Sequence, residues 1–81
     1  LICGTGIGMS IAANKIKGIR CGKVTTPREA KLTKEHNMAN VISLSEYTEN
    51  VEEIVEAFIN TQNSTEERHI KRVQEICELE G

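Results

Sequence analysis

Aromatic side chains are almost missing from this 81-residue chain, which has one Phe, one Tyr and no Trp. Proteins that grip single-stranded nucleic acid stack bases on such rings, so the scarcity speaks against that role. Positive charge is not in excess either. Ten Lys and Arg face twelve Asp and Glu, and a net charge of −2 does not suit a protein that binds phosphate backbones. No apolar run approaches the roughly 20 residues of a membrane-spanning helix. The first residues lack the basic start of a signal peptide. The three cysteines, Cys3, Cys21 and Cys77, show no CxxC spacing and are odd in number. That sets aside a metal cluster or a disulfide framework and favours a reduced, cytoplasmic setting.

What is present is a repeating pattern of short apolar strand, turn and helix. Leu1 to Cys3 reads as the end of a buried strand, and a chain that opens there is expected to be the C-terminal portion of a longer single domain. After "GTGIG", apolar side chains at Met9, Ile11, Ala12, Ala13 and Ile16 predict a helix over 9–17, closed by Gly18. "IRCGKV" predicts a strand over 19–24. Thr26, Pro27 and Glu29 then form a helix start, with a capping side chain, a proline at the first helical position and an acid three residues after the cap. That helix is expected to reach about His36, and "ANVISL" over 39–44 reads as a third strand. Val51, Ile54, Val55, Phe58 and Ile59 make the stripe of an amphipathic helix. Ser64 and Glu67 form a second capping box, opening a last helix over 65–79 with apolar positions at Ile70, Val73, Ile76 and Cys77. Strands alternating with helices imply an α/β fold with a parallel sheet, here about three strands and four helices. The apolar stripe of the last helix is narrow, so it is expected to pack on a partner subunit.

The chemistry-bearing residues begin at Cys3. A thiol at the carboxyl end of a strand, facing a helix N-terminus, sits where a thiolate forms readily and where open α/β sheets place ligands. It is open to roles as nucleophile, general base or inert packing group, whereas Cys21 and Cys77 lack the glycine context and read as packing. Gly4, Gly6 and Gly8 lie between strand and helix, where backbone N–H groups can turn inward around an anion. A tight turn without ligand would use the same residues. A dinucleotide fingerprint would need glycine where Met9 stands, and no GK[ST] follows for a Walker loop. Thr5 offers a hydroxyl within the turn. His36 and Asn37 end the second helix, expected at the same sheet edge as Cys3; they suit either proton transfer or simple helix capping. Arg68 and Arg72, one turn apart, read either as a solvated face with Glu75 pairing Arg72 or as two forks on a phosphate.

Together, "CGTGIGMSIAANKIKGIR", "KEHNMANV" and "RHIKRVQEI" resemble the B-type ribose-5-phosphate isomerases and the related galactose-6-phosphate isomerases. The resemblance covers most of the chain in order. It implies a Rossmann-like three-layer sandwich, of which this is the C-terminal part, working as a homodimer or tetramer with active sites between subunits. The implied activity is aldose–ketose isomerisation of a sugar phosphate, most directly ribose 5-phosphate to ribulose 5-phosphate, with no metal or redox cofactor. Cys3 matches the base that moves a proton between C1 and C2. Gly4, Thr5, Gly6 and Gly8 match the loop that holds the enediolate oxygens. His36 matches the histidine of sugar-ring opening and Asn37 a contact to substrate hydroxyls. Arg68 and Arg72 match arginines that bind the phosphate across the subunit interface. Over 45–53 the chain reads "SEYTENVEE", placing Glu46 and Tyr47 where relatives carry a longer glycine-rich loop with an arginine. A family member without catalysis, binding a phosphorylated ligand or serving as an assembly subunit, is the alternative.

Overall fold

The computed structural model describes all residues, Leu1–Gly81. Strands β1 (Ile2–Cys3), β2 (Cys21–Lys23) and β3 (Val41–Ser45) alternate with helices α1 (Ile7–Asn14), α2 (Pro27–Asn37), α3 (Val51–Asn60) and α4 (Glu67–Leu79). The three strands form one parallel sheet in the order β1-β3-β2. Cys3 pairs with Ser45 at one end of β3, and Cys21 pairs with Val41 at the other. This is the expected α/β architecture, with α1 on one face of the sheet and α2 and α3 on the other. No helix is long and apolar enough to cross a membrane.

The core lies between the sheet and the α2–α3 layer. Val24, Ala30, Ile42, Leu44 and Ile54 form a buried cluster, and Val51, Ala57 and Phe58 pack against it. Ile42 and Leu44 are alternate residues of β3 and so share that face. Val51, Ile54 and Phe58 of the amphipathic stripe expected of α3 meet them, whereas Val55 and Ile59 line an open groove on the helix's outer side. The Lys34 ammonium of α2 sits 4.6 Å from the centre of the Phe58 ring, joining the two helices by a cation–π contact.

Local signals set most boundaries. Thr26 caps α2, accepting the Glu29 N–H at 3.1 Å. The Glu29 carboxylate reaches one residue further back than a capping box requires, to the N–H and hydroxyl of Thr25. Those bonds, the side-chain one first, hold the Glu29 carboxyl below its usual range. At the other end, Met38 takes a left-handed conformation, φ 51°, and its N–H returns to Lys34 O. Other expectations shift. Helix α1 begins two residues before Met9 and ends at Asn14, because the chain tightens through Lys15 and Ile16 into three-residue turns before the left-handed Gly18. Strand β2 is shortened to three residues because Ile19 and Arg20 belong to a connection pinned by side chains. Within it, Arg20 N–H donates to Asn40 Oδ1, and Asn40 Nδ2 donates to Gly18 O. Strand β1 is an exposed edge rather than a buried strand, with Ile2 61% accessible. The apolar side chains of α1 also face outward; only Ala13 of that helix is buried.

Helix α4 lies against α2 and turns His69 and Val73 inward, while Ile76 and Cys77 are exposed. The packing role expected of Cys77 is therefore not met within this chain. Ser64 does not cap the helix, which starts at Glu67, two residues later than a cap at Ser64 would place it. Instead its N–H donates to Glu35 O and its hydroxyl accepts from Glu66 N–H and lies 3.1 Å from Nδ1 of His69. The buried His69 ring stacks on His36 with centroids 4.2 Å apart and planes 25° from parallel. The far end of α4 is latched too, since Gly18 N–H donates to the Glu80 carboxylate.

Removing side-chain volume from the centre of this core has a definite cost. Ile54→Ala, at a fully buried position, is expected to lower unfolding stability by about 2–5 kcal/mol in urea titrations. The His69 stack gives a pH dependence. Burial, then the neighbouring His36, Arg68 and Arg72 charges, lower the His69 pKa against a smaller opposing effect of Glu66. The folded state thus binds fewer protons than the unfolded chain, whose histidine titrates near 6.5. Stability is full above that pH and falls as pH drops from there through the lowered folded value. In thermal melts from pH 7.5 to 5, His69→Phe is expected to flatten the acid-side decline in Tm; an unchanged slope would place the sensitivity elsewhere.

Candidate active site

At the carboxyl edge of the sheet, β1 ends in Cys3 and the chain turns through Gly4, Thr5 and Gly6 into α1. Gly6 has φ 80°, a left-handed conformation that a side chain resists. A Cβ there would stand 3.0 Å from the Leu44 carbonyl carbon, so this turn can lie on the end of β3 only with glycine at that position. Gly4 and Gly8 meet nothing within 4 Å, so the chain's own packing does not demand glycine at either. The Gly6 N–H donates to the Cys3 sulfur at 3.2 Å. The Thr5 hydroxyl accepts from the Ile7 N–H at 3.3 Å. The Thr5 amide has no partner in the chain, and those of Gly8 and Met9 lie in the first turn of α1, which has no preceding turn to accept them. Unpaired amides at a helix start, beside a sulfur, make a site suited to an anionic oxygen.

A cleft of about 570 Å³ opens over this turn, with Gly4, Thr5, Lys23, Ser45, Tyr47 and Thr48 in its wall. Lys23, at the end of β2, is its one cation. Tyr47 is 80% exposed, and the Thr48 hydroxyl is buried without a hydrogen-bond partner. The acidic segment over 45–53 therefore forms one side of the cleft.

The remaining candidates lie elsewhere. His36 and Asn37 are at the opposite edge of the sheet from Cys3, which corrects the expectation that they share one. A helix that follows a parallel strand starts at the carboxyl edge and runs back, so its last residues return to the amino edge. Asn37 accordingly lines a second cavity of about 670 Å³, shared with Asn14, Arg20 and the end of α4. The five residues of β3 alone separate the two edges by about 13 Å. Arg68 and Arg72 lie on α4, close enough to the buried His69 for their charges to act on its ring. Arg68 pairs with Glu66 at 2.7 Å, whereas Arg72 makes no ion pair and the expected Glu75 partner does not engage it. Cys21 is a packing thiol, and burial raises its pKa.

One chain therefore presents two separate groups. Cys3, Gly4, Thr5, Gly6 and Gly8 gather at the carboxyl edge; His36, Asn37, Arg68 and Arg72 gather around the α2–α4 junction. Sequence reasoning missed His69, whose stack on His36 holds the junction together. It also missed Ser43 and Ser45, whose hydroxyls bond to the glycine turn. The signal for the serines was two hydroxyls at alternate positions of an otherwise apolar strand.

Comparison with known proteins bears directly on these groups. The family model described as Ribose/Galactose Isomerase matches residues 1–76, which include both. Ribose-5-phosphate isomerase B of Escherichia coli is 41% identical over 99% of this chain and 55% of its own length. YwlF of Bacillus subtilis is 43% identical, with the same coverage. The solved structure of the type B ribose 5-phosphate isomerase of Trypanosoma brucei superposes with a TM-score of 0.93 at 43% identity, covering 98% of this chain and 55% of that one. The chain spans about half the length of the curated relatives it matches, corresponding to their C-terminal half. With a family model matched across nearly all of its residues and relatives above 40% identity, this chain belongs to the ribose/galactose isomerase family.

Proposed function

We propose that this protein interconverts an aldose phosphate and its ketose, most directly ribose 5-phosphate and ribulose 5-phosphate, using Cys3 as the base. The observation that carries the proposal is the turn after β1, where a sulfur receives the Gly6 N–H at 3.2 Å beside amides without partners. Relatives named ribose-5-phosphate isomerase B support the choice of reaction.

The chemistry follows from the groups at that turn. The Cys3 thiolate removes the proton from C2 of the open-chain aldose, and the electron pair forms the C1=C2 bond while O1 takes the negative charge. Unpaired amides of the turn stabilise that enediolate, an interaction stronger in the transition state than with the neutral carbonyl. The thiol then returns the proton to C1 and the bond re-forms as a C2 carbonyl. The Thr5 hydroxyl assists the proton that must move from O2 to O1. One group on one face serves both steps, with an efficiency set by its position and its proton affinity.

His36, Asn37, Arg68 and Arg72 serve a second copy of the chain. Their distance from Cys3 in one copy is the support for sites shared between subunits. In such a dimer, His36 opens the sugar ring, Asn37 holds a hydroxyl, and the arginines bind phosphate. Arg72, free of any carboxylate partner in the chain, is the stronger anchor of the two. The outer face of α4 is the surface offered to the partner.

Spectrophotometric assays against a panel of pentose and hexose phosphates test the reaction and name the sugar. Cys3→Ala is expected to reduce kcat by about a thousandfold with an unchanged circular dichroism spectrum; parental turnover would remove the base assignment. Arg72→Ala is expected to raise KM for the phosphorylated sugar by about tenfold or more. An equal rise for the free sugar would remove its phosphate role.

A further inference from the structure

The glycine turn is held by side chains of β3. Ser43 and Ser45 alternate along the strand and so present their hydroxyls on the same face, toward the start of α1. Ser43 is fully buried, and its hydroxyl donates to Gly6 O at 2.6 Å. The Ser45 hydroxyl donates to Gly4 O at 2.8 Å and accepts the Tyr47 N–H at 3.1 Å. Each bond does more than tie down an oxygen. In a trans peptide the N–H points away from the C=O of the same unit, so fixing one direction fixes the other. All peptides here are trans. The bond to Gly4 O therefore turns the Thr5 N–H away from the sheet edge, and the bond to Gly6 O does the same for the Ile7 N–H.

Without the Ser45 bond, the Gly4–Thr5 peptide would be the easiest in the turn to rotate, because it has no other hydrogen bond and glycine resists so few backbone angles. A rotated Gly4–Thr5 peptide would present a carbonyl oxygen where an anionic oxygen has to sit. Attraction there would become repulsion. The Gly6 carbonyl also accepts from Ser10 N–H at 3.3 Å in the first turn of α1, so the Ser43 bond links the turn and the helix start to one strand residue.

We propose that Ser43 and Ser45 are positioning residues that keep the Gly4 and Gly6 carbonyls out of the site and the Thr5 amide aimed into it. The proposal rests on the isomerase reading above and adds the groups that give the enediolate cradle its shape. Ser43 is buried, and Ser45, in the cleft wall, has its hydroxyl engaged with Gly4 O and Tyr47 N–H. They act through the backbone of the turn.

The test combines kinetics with amide NMR on the same variants, using a phosphorylated aldonohydroxamate whose planar anion resembles the enediolate. Ser45→Ala, at a partly exposed position, is expected to lower kcat by about tenfold while KM stays within twofold, and to weaken the hydroxamate by a similar factor. The Thr5 amide resonance, shifted by the hydroxamate in the parent, should respond less. Ser45→Thr, which keeps the hydroxyl, should restore most of the loss. Ser43→Ala leaves a buried carbonyl short of a donor and is expected to cost stability. For that reason Ser45 carries the decision. Parental kcat, hydroxamate affinity and Thr5 response in Ser45→Ala would overturn the proposal while leaving the isomerase reading intact. A parent without turnover on any sugar phosphate would sink that reading. The clamp would then stand or fall on whether the Thr5 response to the hydroxamate is lost in Ser45→Ala.

Discussion

The fold and the candidate site both depend on how closely the turn after β1 approaches the end of β3. Gly6 permits it, since any side chain at φ 80° would press on the Leu44 backbone. From that contact the geometry spreads in two directions. Cys3 is set in register with Ser45, which places its sulfur at the carboxyl edge, and α1 leaves the turn along the face opposite the α2–α3 core. β3 thus serves two layers at once. Ile42 and Leu44 hold the core, while Ser43 and Ser45, on the alternate positions, hold the turn.

A division of labour follows between the two edges of the sheet. At the carboxyl edge the important groups are backbone amides, a sulfur and neutral hydroxyls. At the amino edge they are side chains on helices: two stacked histidines, an asparagine and two arginines. The junction of α2 and α4 is kept in place by Ser64, which meets Glu35 through its backbone and His69 through its hydroxyl. Its anchoring is specific, yet little apolar surface is involved. Most of the hydrophobic burial lies between the sheet and α2–α3, so the α4 end depends more on these directional contacts.

Features written in neighbouring residues were legible in the sequence. The Thr26–Pro27–Glu29 start of α2, the stripe of α3, the three strands and the parallel α/β class follow from capping, periodicity and alternation. The family resemblance added the grouping of the glycine turn with Cys3. Distant relations were not legible. Ser43 reaches a residue 37 positions away, and nothing local marks that partner. His69 was not marked as an inward-facing residue because its burial comes from α2, not from α4's own pattern. The edge assigned to His36 and Asn37 failed for a geometric reason, since eleven residues of α2 carry the chain back across the sheet. Helix α1 kept its place but not its apolar side, because hydrophobic residues predict a contact without saying whether this stretch of chain supplies it.

The serine bonds to the turn join uncharged groups. Ion pairs on a protein surface weaken as salt screens them, and carboxylates lose their role when acid neutralises them. Hydroxyl-to-carbonyl bonds do neither across the range in which proteins stay folded. The clamp that β3 places on the turn is therefore indifferent to ionic strength and proton concentration.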